Sequence, residues 1–190
     1  MTELVGANNF RIAYRAIQSA LGKDDHNKLL NLSRGFFVTA KDALIAGLII
    51  EVSKLFDTNS DAFSLRHLLN EFSQKIPNMS QRIRGWKKDI TKHSRVIENL
   101  WKQRSQYYAH KDKDYLHNPN QLLLAESPIS FIELEELVDL SGRIYLGLAA
   151  KIRPSGTLYL DGYLYQEHRD DLCKLLDKVL CSGGFEGIDK

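Results

Sequence analysis

Several things are scarce in this sequence. Of its 190 residues only two are cysteines, Cys173 and Cys181, with no CxxC pair between them. That excludes a disulfide framework and a zinc site of ordinary spacing, and leaves two small apolar side chains in a reducing compartment. There are four prolines and no low-complexity tract, so no long linker is expected. No internal repeat recurs at solenoid periods. The longest apolar run, 43–50, is too short to span a bilayer. The opening MTELVGANNFRIAYRA lacks the apolar segment of a signal peptide. A soluble cytoplasmic protein with no membrane partner is the expectation. GxGxxG, the P-loop and HExxH are all missing, so neither a nucleotide cradle nor zincin chemistry is supported. No metal and no cofactor is expected.

What is present suits one globular domain. Hydrophobic residues make up 43% of the chain and charged residues 26%, enough apolar surface for a core without staples. The expected organisation is a single helical domain over 1–190, with 1–9 and 183–190 as mobile tails. The net charge of +2 is unremarkable, but its distribution is uneven. Residues 82–113 carry ten Lys or Arg and only Asp89, Glu98 and Asp112 as acids. This segment is therefore +7 and the remainder −5. Such asymmetry points to an anionic partner on one element. The plainer alternative is a solvated basic helix balanced by acidic neighbours.

Helical periodicity runs through nearly the whole chain. Phe10, Ala13, Tyr14, Ile17 and Leu21 mark a first amphipathic helix, ended by Gly22 and a polar run. A second helix over 28–56 is apolar on most faces around 43–50, as a central buried helix would be. Turn residues follow at 57–61. Ser64 can cap a shorter helix buried through Leu65, Leu68, Leu69 and Phe72. Past Pro77, Asn78 or Ser80 is expected to cap a long fourth helix over 81–109. Ile83, Trp86, Ile90, Val96, Ile97, Leu100, Trp101 and Tyr108 form its apolar positions, with basic residues between them. Residues 115–127 read as an irregular connection. Ser130 and Glu133 then make a capping box before an acidic helix to about Ile152. A loop or small hairpin over 153–164 and a last helix over 166–180 complete the reading. The fold class is all-α, a bundle of five to six helices with two long central ones.

The long basic helix closes on RSQYYAH, Arg104 to His110. An arginine and a histidine four to six residues apart at the end of a long helix resemble the motif of the HEPN superfamily. Ala109, His110 and Asp112 are similar to the Arg-(Asn/Asp)-x-x-x-Ala-His-x-Asp pattern of its abortive-infection AbiU branch. So is VSKLFDTNSDAFSLRHLL, Val52 to Leu69, a buried helix ending Leu-Phe-Asp before a turn and a Ser-Leu-x-x-Leu helix. The residue after the arginine is Ser105 rather than Asn or Asp, which keeps hydrogen-bonding capacity. A related toxin branch carries a tyrosine two residues after the histidine. Here that place is Asp112, so regulation by modification of that tyrosine is not indicated.

The resemblance implies a HEPN-like helical bundle and metal-independent RNA cleavage in phage defence or as a toxin. An antitoxin or defence-system partner goes with that role. The alternative it leaves open is a non-catalytic module that binds RNA, a nucleotide or a protein. Cleavage without metal uses the 2′-hydroxyl of the RNA as nucleophile. It calls for a base near neutral pKa, His110, and a fixed planar cation on the scissile phosphate, Arg104. Ser105 would orient the pair. Lys102, Lys111 and Lys113 could hold the phosphate backbone, and Tyr107 could stack on a base. His67, His93, His117 and His168 show no ligand spacing and are read as structural or surface residues.

The spacing has a geometric consequence. Six residues on a straight α-helix turn through about 240°. Arg104 and His110 therefore share no face of an unbroken helix. Either the helix ends near Ala109, or two chains combine their motifs. The family's usual answer is a homodimer across a two-fold axis. The bland reading of the same residues pairs Arg104 with a nearby acid and leaves His110 on the helix dipole.

Overall fold

The structure, a computed structural model, describes residues 2–21, 26–59, 64–109, 123 and 125–152. Among these it has six α-helices and no strand: α1 (Thr2–Leu21), α2 (His26–Leu55), α3 (Leu65–Lys75), α4 (Ser80–Lys92), α5 (Ser94–Lys102) and α6 (Phe131–Ile152). A 3₁₀ turn, Pro77–Met79, precedes α4, and a π-helical stretch, Gln103–Ala109, continues α5. The all-α expectation holds. No described helix is long and apolar enough to cross a membrane. The expected hairpin over 153–164, the last helix over 166–180, the tail at 183–190 and both cysteines lie outside the described residues.

By packing, the chain divides into two units. Met1–Asn8 and Ala46–Leu158 form the first, Asn9–Ile45 and Tyr159–Lys190 the second. In the second unit, Gln18 Nε2 donates to Tyr14 Oη at 2.8 Å, and Lys41 Nζ lies 5.8 Å from the Tyr14 ring centre. Ala16, Ile17 and Phe37 are buried there. Phe37 meets the exposed Phe36 edge to face, with ring centres 5.3 Å apart.

The first unit holds the basic segment. Leu48, Val52, Leu69, Ile83, Leu100 and Leu148 are fully buried in its core. Each such side chain stabilises the fold by roughly 1.5–3 kcal/mol relative to leaving it in water. Leu4 and Ala7 are also buried, so residues 2–9 begin α1 where a tail was expected. Along the part of α2 whose burial is described, Phe37 and a cluster from Leu48 onward are buried, and Ala43 is exposed. Hydropathy alone shows how much a helix can bury, not which end meets its neighbours.

Two local expectations hold. Ser64 Oγ accepts from His67 N at the start of α3. Before α6, Glu133 N donates to Ser130 Oγ at 3.2 Å while Ser130 N donates back to Glu133 Oε2 at 2.8 Å, the reciprocal capping box. Two others are corrected. Neither Asn78 nor Ser80 caps α4, because the 3₁₀ turn leads into it and Ser80 Oγ donates back to Pro77 O at 2.6 Å. The fourth helix is not continuous either. It breaks at His93, whose φ of −97° and ψ of 13° lie in the bridge region. The stripe Ile83, Trp86, Ile90 reaches its next place at position 93 and finds a half-buried imidazole instead of an apolar side chain. The chain restarts as α5 from Ser94.

Candidate functional site

On α5 the buried face carries Val96, Ile97, Asn99 and Leu100, and Gln103 extends it. Two of these five are polar, and a buried amide must find partners. Asn99 Nδ2 donates to Pro128 O at 2.9 Å, and Gln103 Nε2 donates to Ser127 O at 2.6 Å. The segment leading into α6 is thereby clipped onto α5. Sequence reasoning did not select either amide, although both sit on the apolar stripe where a polar residue signals a specific tie.

Arg104 stands at the margin of the same face, four residues beyond Leu100. Its side chain is 36% exposed, and Nη1 donates to Asp57 Oδ2 at 3.0 Å. Asp57 lies just past the end of α2, and its other oxygen accepts from Asn59 N at 2.9 Å. The Asn59 amide and then the Arg104 guanidinium hold the Asp57 carboxyl below its ordinary range, against the opposing effect of partial burial. In the sequence Asp57 is both a turn residue and the last residue of the family-like Leu-Phe-Asp segment, with no role of its own assigned. Its partner lies 47 residues away, so no local pattern shows the pairing.

Ser105 and Lys102 face outward, as their offset from Leu100 requires. The Ser105 hydroxyl is engaged within its own helix, donating to Trp101 O at 2.8 Å and Lys102 O at 3.3 Å. A hydroxyl that competes for the carbonyl four residues back loosens the helical ladder at that point. The backbone here is π-helical over Gln103–Ala109. A π turn closes on the fifth residue, so each residue turns less than the 100° of an α-helix. Over Gln103–Ala109 the 100° step of a straight α-helix therefore does not hold.

The structure brings Arg104, Ser105 and Lys102 onto one short stretch with Asp57 beside them. Tyr107 lies on the π-helical backbone, and its side chain is outside what is described. His110, Lys111 and Lys113 lie outside the described residues. Among the described residues no group of three or more His, Cys, Asp or Glu side chains could hold a metal ion.

Comparison with curated proteins and with solved structures gives no match. The family model described as AbiU2, a HEPN family, matches residues 1–170. That span takes in the helix ending Leu-Phe-Asp, the capped α3 and the widened helix that carries Arg104. The chain belongs to the AbiU2 family of HEPN domains.

Proposed function

We propose that the chain is a metal-independent endoribonuclease acting in phage defence or as a toxin in the cytoplasm. The observation that carries the reading is the state of Arg104. It is half-exposed near the end of the most basic segment, and its one hydrogen bond to a described residue uses Nη1. Asp57 fixes the guanidinium in place, and among the described residues Nη2 and Nε have no further partner, which leaves them for a phosphate. A π-helical stretch at this point adds support, since such widenings recur at functional sites.

In this mechanism His110 takes the proton of the RNA 2′-hydroxyl, which attacks the adjacent phosphorus. Arg104 neutralises the charge that develops on the phosphoryl oxygens. The bond to the 5′-oxygen breaks as that oxygen takes a proton from the imidazolium formed on His110 or from solvent, leaving a 2′,3′-cyclic phosphate and a 5′-hydroxyl. Lys102, Lys111 and Lys113 hold the strand through its phosphates, and Tyr107 stacks on a base. Two chains related by a two-fold axis bring their motifs together as a homodimer.

A second reading also has a specific observation behind it. Arg104 already has a carboxylate partner, and the Ser105 hydroxyl is engaged by its own helix. Both favour a non-catalytic module that binds RNA, a nucleotide or a protein partner. Incubation with RNA in EDTA separates the two. His110→Ala should lose at least about a hundredfold in cleavage rate, the usual contribution of a general base. Equal cleavage by both proteins removes the mechanism. RNA binding without cleavage by the wild type supports the second reading.

A further inference from the structure

A cleft of about 440 Å³ opens in the first unit among the end of α2, α3, α4 and α5. That volume falls in the range of small-ligand sites. Leu69, Ile90 and Ile97 give it apolar walls, and Trp101 is on its lining. Two cations, Arg66 and Lys87, stand on the lining against a single acid, Glu98. Lys87 Nζ donates to the neutral Asn70 Oδ1 at 2.7 Å, so its charge is not cancelled. Arg66 is exposed, and no described carboxylate pairs with it.

Trp101 is an unusual choice for such a wall. Its Nε1 is buried and has no hydrogen-bond partner among the described residues. A buried donor left unpaired is destabilising, and leucine or phenylalanine would line the wall without that defect. What tryptophan adds is a broad aromatic face. The cleft also adjoins the ion pair already described. Phe56 and Thr58, both on its lining, flank Asp57, and Trp101 sits one short turn before Arg104.

We propose that this cleft seats one unpaired nucleotide of the RNA strand whose scissile phosphate Arg104 binds. The base lies against Trp101 and the apolar walls, and a neighbouring phosphate lies beside Arg66 and Lys87. Aromatic stacking joined to a cationic rim is how single strands are held without a sequence code. The assignment rests on the RNA-binding reading of the Arg104 motif.

The test is fluorescence anisotropy with a labelled single-stranded RNA whose 2′-oxygens are methylated, so that it cannot be cleaved. Trp101→Leu should weaken binding about tenfold, the loss of one stacked base, while Trp101→Phe stays within about threefold of the wild type. Arg66→Glu, a change on an exposed side chain that leaves the core intact, should weaken binding by a similar factor. Arg66→Ala should lower the slope of log affinity against log salt by about 0.7, as loss of one phosphate contact does on a single strand. If Arg104→Ala weakens binding but Arg66→Glu and Trp101→Leu do not, the cleft assignment is overturned and the RNA reading stands. If the wild type binds no RNA, both are overturned. If a nucleoside monophosphate binds the cleft yet RNA affinity ignores Arg66→Glu, the cleft serves a free nucleotide and the proposal is wrong.

Discussion

α4 and α5 belong to one basic stretch of sequence, yet they are held in place by different means. α4 is locked by apolar contact. The Trp86 ring lies so close to α6 that a β-carbon on Gly147 would meet it at 2.5 Å, and Arg82 stacks over the ring at 5.1 Å from its centre. Glycine is required at position 147 because only a bare backbone admits the ring. α5 also buries Val96, Ile97 and Leu100, but it and the π-helical stretch are tied in addition by polar groups: Asn99 and Gln103 to backbone carbonyls, Arg104 to Asp57. Apolar packing fixes how near two helices lie. Directed hydrogen bonds fix where particular atoms point, which a site built on one guanidinium needs. The first half of the basic stretch is a strut and the second half is an alignment device.

The largest effect should come from breaking the strut. Trp86→Ala removes a buried ring from a contact shaped around it and should cost about 3–5 kcal/mol. A lowered urea midpoint with an unchanged slope would report it. A loss below about 1 kcal/mol would mean that α4 and α6 are not held by this contact. The alignment device should respond less and more locally. Gln103→Ala leaves the Ser127 carbonyl without its side-chain donor and should cost roughly 1–3 kcal/mol. Hydrogen exchange should then quicken first around 127–134, where the clip is lost, before it does in α4. Equal quickening in both places would erase the distinction between the two halves.

This contrast also explains what could be read in advance. Apolar spacing gave the helices, because burial of one face sets a period visible in a single segment. The Ser64 cap and the Ser130–Glu133 box were legible for the same reason, since each closes within four residues. The break at His93, the widened helix after Lys102 and the Asp57–Arg104 pair were not. Each depends on which backbone or side chain arrives from elsewhere, or on a hydroxyl choosing a carbonyl over solvent. Arg104 itself was selected by motif, and its exposure and its partner came only with the fold. The buried amides fall between these cases: their place on the stripe showed that partners must exist, while the partners at 127 and 128 lie beyond any local pattern.

The smallest effect belongs to the ion pair, and it sharpens the comparison through its dependence on pH. Asp57 and Arg104 are both partly exposed, so water screens their attraction. A double-mutant cycle with Asp57→Asn and Arg104→Ala should give a coupling of about 0.5–1 kcal/mol at pH 7. The sign with pH follows from the carboxyl, whose folded pKa lies below the unfolded value near 3.8. Such a group contributes its stability above the unfolded pKa and loses it as pH falls through the folded one. The coupling should therefore stay level from neutral pH down to about 5, shrink below about pH 4, and vanish once Asp57 is protonated in both states. The cost of Trp86→Ala, which involves no titrating group, should keep its size over the range in which the fold survives. A coupling already absent at neutral pH would mean that asparagine holds Arg104 as well as aspartate does, and that charge has no part in aligning the guanidinium.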